Sequence, residues 1–328
     1  MRNLFSYIGM KLIRLVTLLA AVCAVSFALA EKSPIDPVQA YIGADLLRLG
    51  PEQRQQIEAY WGLDRPAAER FWNWASALLQ GNLGTSMIYR MPVSEVIAEK
   101  FFNSALLMSA AWVLSGVIGF AAGAVAAMNR GRWPDKLIQW YCLTLASTPA
   151  FWVALLLLMV FSVWLGLFPV GLGVPAGVTA DQVGLADRIE HMILPALTLS
   201  VVGISSVALH TREKLAEVLD SDFVLYARAR GLKGSRLFWR HGLRNIALPA
   251  VSLHFASFGE LFGGAVLAEE VFSYPGLGQA AVQAGLRGDV PLLLGIVLFS
   301  AMFVYAGNTI ADLIYKLADP RMRKGRLL

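Results

Sequence analysis

Charge is scarce in this 328-residue chain. Only 16% of its residues are Asp, Glu, Lys or Arg, against roughly a quarter in ordinary soluble domains, which excludes water as the main solvent. Cysteine is scarcer still: Cys23 and Cys142 are the two present, both in apolar runs where a free thiol behaves as a small apolar group. A disulfide framework is therefore excluded as the organising feature. No Gly-x-x-x-x-Gly-Lys-Ser/Thr occurs, nor any Gly-Lys pair, so the chain carries no P-loop. His-Glu-x-x-His and Gly-x-Ser-x-Gly are also missing, and no paired carboxylates have a setting suited to acid–base work. No catalytic residue, cofactor ligand or metal ligand is assigned to this chain.

What is present is apolar sequence, 57% of the residues, gathered into runs rather than spread at the period of a soluble core. A helix needs about 20 apolar residues to cross the hydrocarbon. Six stretches qualify: Leu12–Ala30, Ser104–Met128, Leu137–Leu165, Ile193–His210, Leu248–Leu267 and Pro291–Leu317. The expected class is an all-α integral membrane protein with about six transmembrane helices.

The formal net charge of +5 would suit nucleic acid, but the basic residues are divided among short loops, which membrane topology explains better. The amino-terminal tail, residues 129–136, residues 211–247 and the carboxyl-terminal tail hold 3, 3, 8 and 5 of the 28 Lys and Arg, counting Arg14 and Lys316 at the span ends with their tails. The opposite side holds the other 9, although residues 31–103 alone make a long loop there. Both termini are thus expected in the cytoplasm. Arg2, Lys11 and Arg14, an apolar stretch and Ala28-Leu29-Ala30 also mimic a cleavable signal peptide. The run is long for one, and a retained span is the preferred reading.

The expected organisation is a first transmembrane helix at 1–30, a partly helical extracytoplasmic loop at 31–103, and a five-helix core at 104–328. In the loop, Pro51-Glu52 and Asp64-Arg65-Pro66 read as helix starts and Gly81 as a stop. Phe71, Trp72, Trp74, Leu78 and Leu79 would form an apolar surface for the membrane face or the bundle, or a docking surface for a soluble partner.

The core's most unusual stretch is the cytoplasmic loop at about 211–247. Ser221 or Asp222 suits an N-cap, Phe223–Arg230 mixes apolar and basic positions over about two turns, and Gly231 suits a left-handed stop. Leu237, Phe238, Trp239 and Leu243 then alternate with Arg236, Arg240 and Arg244. Such an amphipathic helix can dock on a protein or lie on anionic lipid headgroups.

Tyr226-Ala227-Arg228-Ala229-Arg230-Gly231-Leu232, with Arg240-His241-Gly242-Leu243-Arg244-Asn245 and Leu248-Pro249, resembles the ATPase-coupling loop of ABC importer permeases of the peptide and nickel branch. Glu269–Gly278, Gly288-Asp289-Val290-Pro291 and Asp319-Pro320-Arg321-Met322-Arg323 resemble further pieces of that branch. Where the general motif has Glu-Ala-Ala, this chain has Leu225, Tyr226 and Ala227, so nothing carries over at the glutamate position. The resemblance implies a type I importer permease fold in the bacterial inner membrane. It also implies a second homologous permease, two ATPase subunits that bind ATP and Mg, and an extracytoplasmic substrate-binding protein. Asp222, Ala227, Arg228, Arg230 and Gly231 would form the coupling helix seated on an ATPase subunit.

Polar groups at membrane depth are costly and often functional. Glu260 lies midway along the fifth span, with Gly259, Gly263 and Gly264 allowing close helix approach. It would either line a pathway for an amine-bearing or cationic substrate or sit protonated against a neighbouring helix. His254, six residues earlier, should point well away from it around the helix; it is expected to be a buried or lumen-facing structural histidine and is the second pathway candidate beside Glu260. Asn308 and Asp312 share a face and should fix packing. Pro149 should kink the third span. Gly259–Gly264 resembles the nickel-transporting members of that branch a little more than the peptide ones, and that resemblance implies a metal ion or nickel-like chelate over a short peptide. A stand-alone secondary transporter using Glu260 is the alternative; it would move substrate without ATP.

Overall fold

The computed structural model describes residues 2–42, 50–173 and 184–318; the motif Asp319–Arg323 lies outside them. Among the described residues the regular structure is helical, apart from one isolated antiparallel bridge between Thr85 and Pro92. In chain order the helices are α1 (Arg2–Glu31), α2 (Pro37–Ile42), α3 (Pro51–Trp61), α4 (Ala67–Leu79), α5 (Val93–Met128), α6 (Trp133–Ala146) and α7 (Ala150–Leu157). They continue with α8 (Leu185–Leu219), α9 (Asp222–Ala229), α10 (Gly234–Leu237), α11 (Leu243–Ala256), α12 (Phe258–Val271), α13 (Leu277–Arg287) and α14 (Val290–Ala318). Wider π turns extend α7 over Leu158–Trp164 and lead into α11 over Phe238–Gly242.

Among the described residues four helices are long and apolar enough to cross a bilayer unbroken: Gly9–Glu31, Val93–Met128, Leu185–Leu219 and Val290–Ile314. Two bent pairs bring the number to 6 if each is one span. The expected continuous third span is instead two helices meeting at 106°. Pro149 has no N–H to donate and drives Thr148 out of helical geometry. The Leu145 carbonyl, which Pro149 cannot serve, accepts from the Thr148 N–H at 3.0 Å, and the hydroxyls of Ser147 and Thr148 donate to the carbonyls of Leu143 (3.0 Å) and Thr144 (2.8 Å), which also accept from the Ser147 N–H. The fifth span bends by 49° between α11 and α12.

The chain forms two compact units. One joins Met1–Ser104 to Pro275–Tyr305, and the other joins Ala105–Tyr274 to the chain from Ala306 onward. In the first, α3 starts at Pro51, and α4 is followed by Gly81 at φ +83°, as expected from the sequence. Phe71 of α4 meets Phe27 of α1 edge-on at 5.2 Å, and the Tyr305 hydroxyl of α14 donates to the Lys11 carbonyl at 2.7 Å. Trp72 and Leu79 stay exposed. The Gly288–Pro291 motif has a local task here. Fully buried Asp289 accepts from the Ser86 hydroxyl (2.6 Å), the Ile88 N–H (2.9 Å) and the Leu292 N–H (3.2 Å), tying the outer loop to the first turn of α14.

The second unit is organised around α8. Gly119 and Gly123 of α5 let the two backbones approach closely: a Cβ at Gly119 would lie 2.7 Å from Val207 Cβ, and one at Gly123 would collide with the Ala208 carbonyl. Of the glycines near Glu260, Gly264 does face α8, 3.3 Å from Leu199, but Gly263 faces no atom within 4 Å. Asn308 and Asp312 are both exposed. Tyr274 lies beyond α12 and the spans. Burial, then the Glu269 carboxylate, push its phenol up to about 12 against the opposing pull of Arg188.

Candidate functional site

The cytoplasmic loop folds almost as its sequence directs. The helix runs Asp222–Ala229, one residue earlier than expected. Ser221 takes the N-cap position with extended backbone, but its hydroxyl donates to the Val218 carbonyl of α8 rather than capping an amide. The end is a complete left-handed stop. Gly231 sits at φ +89°, its N–H donates to the Arg228 carbonyl at 2.9 Å, and the Leu232 N–H reaches the Ala227 carbonyl at 3.1 Å.

Spacing decides which side of α9 is buried. Val224 and Ala227, three apart, share a face and enter a core with Ala124 and Ala127 of α5, Leu215 and Leu219 of α8, Leu237 and Ile246. The opposite face is open: Leu225 is 64% exposed and Tyr226 66%, with Asp222, Arg228 and Arg230 beside them. The Arg230 guanidinium lies over the Tyr226 ring, 5.9 Å from its centroid. Next to α9 a groove of about 440 Å³ is lined by Arg130, Arg132, Arg228 and Lys233. Of the residues assigned to coupling, Ala227 is thus an anchor and the other four are presented outward.

The platform beneath has an ion pair that the sequence did not suggest. Asp135, in the first turn of α6, accepts from Arg212 of α8 (Nη2 to Oδ2, 2.9 Å), from Gln139 (2.9 Å) and from the Gly131 N–H (2.9 Å). The carboxylate is 2% exposed and the guanidinium 23%. Every strong acceptor site on Asp135 is therefore occupied.

The second cluster lies in the spans. Two adjoining cavities, about 190 and 400 Å³, share Ser206, His210, His254, Ser257 and Glu260 in their walls. His254 and Glu260 were expected on different sides of one helix. The break at Ser257 separates them onto α11 and α12, and both side chains border the same space. The His254 ring stacks on Trp112 at 4.4 Å. A carbonyl only accepts, so His254 Nε2 carries the proton it shares with the Trp112 carbonyl at 2.9 Å, while the Trp112 indole donates to the His254 carbonyl at 3.3 Å. His254 Nδ1, Ser205 Oγ and Thr211 Oγ1 are buried without a hydrogen-bond partner. Glu260 is exposed in the first turn of α12.

The larger cavity is bordered by Ala146 and Ala150, which flank the Pro149 break, and by Ser257 and Glu260 at the other break. Interrupted helices are tolerated at membrane depth where they line a cavity or are buried in protein. His210 and Ser206 were not singled out from sequence; they lie one helical turn apart on α8, four residues from each other, and that spacing was the available signal. Among the described residues no group of three or more His, Cys, Asp and Glu is placed to hold a metal ion.

Comparison with known proteins adds a family and its relatives. The family model described as "Binding-protein-dependent transport system inner membrane component" matches residues 119–324. The oligopeptide transport system permease protein AppB of Bacillus subtilis is 32% identical over 318 residues, covering 97% of this chain and 99% of that protein. The glutathione transport system permease proteins GsiC of Salmonella typhimurium and of Escherichia coli K12 are each 35% identical over 325 residues, covering 98% of this chain and 99% of theirs.

Proposed function

The chain belongs to the family of binding-protein-dependent transport system inner membrane components, and from that premise we propose that it forms a translocation pathway for short peptides, driven by ATPase subunits seated on α9. The observation that carries the proposal is the two-sided character of α9. Two small apolar residues fix it to the ends of α5 and α8, and an outward face of Leu225, Tyr226, Arg228 and Arg230 is left for another protein. A helix so attached moves with α8, and thereby passes a push from its partner to the span that walls the cavity. With no P-loop in this chain, ATP and Mg belong to the ATPase subunits. A second permease and an extracytoplasmic binding protein complete the importer.

The substrate class follows from the relatives' names, oligopeptide and glutathione, joined to the cavity's chemistry. Glu260 offers a carboxylate to a peptide's terminal ammonium, and the exposed side chains of Ser206 and His210 offer partners to its amides. The lean toward nickel from Gly259–Gly264 draws no support from these relatives.

The test is co-purification of the complex with its ATPase subunits. Reversing the charge of Arg228 and Arg230 together should abolish capture and substrate-stimulated ATP hydrolysis while leaving the chain in the membrane; an intact, coupled complex would sink the docking assignment. For the pathway, Glu260→Gln should slow uptake of a peptide with a free amino terminus and spare its N-acetylated form. Equal effects on the two peptides would remove Glu260 from substrate recognition.

A further inference from the structure

The groove beside α9 is lined by Arg130, Arg132, Arg228 and Lys233, against which the described residues set one acid, Asp220. Arg130 already holds that acid, at 2.6 Å. The other three cations are exposed and have no carboxylate partner among the described residues. They come from separate stretches: Arg132 from the turn between α5 and α6, Arg228 from α9, and Lys233 from the turn that follows it. Like charges gathered around one space of about 440 Å³ repel one another, and an anion bound among them relieves the repulsion.

Two observations narrow the class of anion. The first is depth. The apolar sequence of α5 ends at Met128 and that of α6 begins at Leu137, so the turn that carries Arg132 lies just outside the hydrocarbon, at the level of headgroup phosphates. The groove reaches α8 at the same level: Gly123 of α5 packs on Ala208 and Thr211, and Ala216, little more than a turn beyond, enters the groove wall. Trp133 and Trp239, in the chain beside the groove residues Arg132 and Leu237, are both exposed, and exposed indoles favour the membrane–water interface. The second observation is the apolar part of the wall. Half-buried Met128 and Leu232 line the groove with the cations; a hydrated inorganic anion leaves such surface uncovered, whereas the glycerol and first methylenes of a lipid cover it.

We propose that this groove binds the headgroup of an anionic phospholipid of the phosphatidylglycerol class, its phosphate held by Arg132, Arg228 and Lys233. A zwitterionic headgroup supplies the same phosphate but brings its own cation, and the three unpaired side chains favour the lipid with net negative charge. Bound there, the headgroup ties the α5–α6 turn to α9 and to the segment behind it. The inference is independent of what the permease carries, and neither Arg132 nor Lys233 belongs to the face of α9 assigned to the ATPase. Acidic side chains of a docked protein match the charge but leave the exposed indoles unexplained.

The test is native mass spectrometry of the full complex in mild detergent, titrated with phosphatidylglycerol and, in a parallel series, with phosphatidylethanolamine. The wild-type complex should hold one more phosphatidylglycerol than a complex whose chain carries Arg132→Gln and Lys233→Gln. Each basic side chain near an anionic headgroup raises binding roughly fivefold, so affinity at that site should fall at least about tenfold in the double variant. Phosphatidylethanolamine should show no such difference. If the double variant does not assemble, Lys233→Gln alone decides, with a loss of about fivefold, while Lys233→Arg should keep the lipid. Equal phosphatidylglycerol binding in wild type and variant would overturn the proposal. So would displacement of the lipid by inorganic phosphate, which would give the groove to a free anion. A lipid held by the chain alone but lost once the ATPase subunits assemble would overturn it too, and would give the groove to acidic side chains of that partner.

Discussion

Replacing Gly231 with alanine should loosen α9 without touching any contact. The backbone there is at φ +89°, and no neighbouring atom lies within 4 Å of where a Cβ would sit. The whole cost is therefore backbone strain, roughly 1–2 kcal/mol for an L-residue in the left-handed region. That is large for this element. At 8 residues, α9 is shorter than the roughly 12–15 that an isolated helix needs in water, and it is held chiefly by burial of Val224 and Ala227. A buried valine contributes about 1.5–3 kcal/mol, so the strain rivals the anchor. One to two kcal/mol shifts the opening equilibrium by about 5–30-fold. The amides of Arg230, Gly231 and Leu232, which close the stop on Tyr226, Arg228 and Ala227, should exchange with deuterium faster by that factor. Asparagine tolerates the left-handed region better, so Gly231→Asn should fall between glycine and alanine, and coupled ATP hydrolysis should decline in the same order. Exchange unchanged in the alanine variant, or an asparagine variant as fast as alanine, would refute the reasoning.

Two glycines of the spans should respond with opposite signs. Gly123→Ala places a methyl against the Ala208 carbonyl and 2.7 Å from Thr211 Cβ, which α8 can relieve only by moving its backbone; overpacking of this kind costs roughly 1–3 kcal/mol. Gly263→Ala meets nothing within 4 Å and gains helix propensity of up to about 1 kcal/mol. Thermal unfolding of the isolated chain in detergent should drop for the first and hold or rise for the second; matching responses would contradict the packing described. Asp135→Asn strands the Arg212 guanidinium. Breaking a buried pair costs about 3–5 kcal/mol, and with Arg212 23% exposed the low end applies. An unchanged unfolding midpoint would mean that water already screens the pair.

The sequence carried the spans and α9 because both rest on local signals. Apolar length marks a span irrespective of its neighbours, and Ser221, Val224, Ala227 and Gly231 encode a start, a buried face and a stop within eleven residues. Pro149 marked its break but not the size of it. A proline in a span can be absorbed as a kink, whereas here the helices on either side meet at 106° and the Leu145 carbonyl that Pro149 cannot serve turns to the Thr148 N–H. The second break had no flag. Ser257 sits between Ala256 and Phe258 in an unbroken apolar run, with neither proline nor glycine at the break itself. Asp135 and Arg212 are 77 residues apart, so their pairing required the packing of α6 on α8.

That second break is what changes the reading of the fifth span. In a straight helix six residues advance about 600°, which leaves His254 and Glu260 roughly 120° apart and would give a pathway only one of them. The bend at Ser257 converts that separation into two short helices that approach one cavity from different directions, α11 bringing His254 and α12 bringing Glu260 in its first turn. The Pro149 break meets the same cavity through Ala146 and Ala150. Each interruption is expensive in hydrocarbon, since backbone groups lose their helical partners there. Two of them border one largely apolar cavity whose wall includes the Glu260 carboxylate. The glycines beside Glu260 were the visible sign in the sequence, but the wall is made by the points where the helices stop.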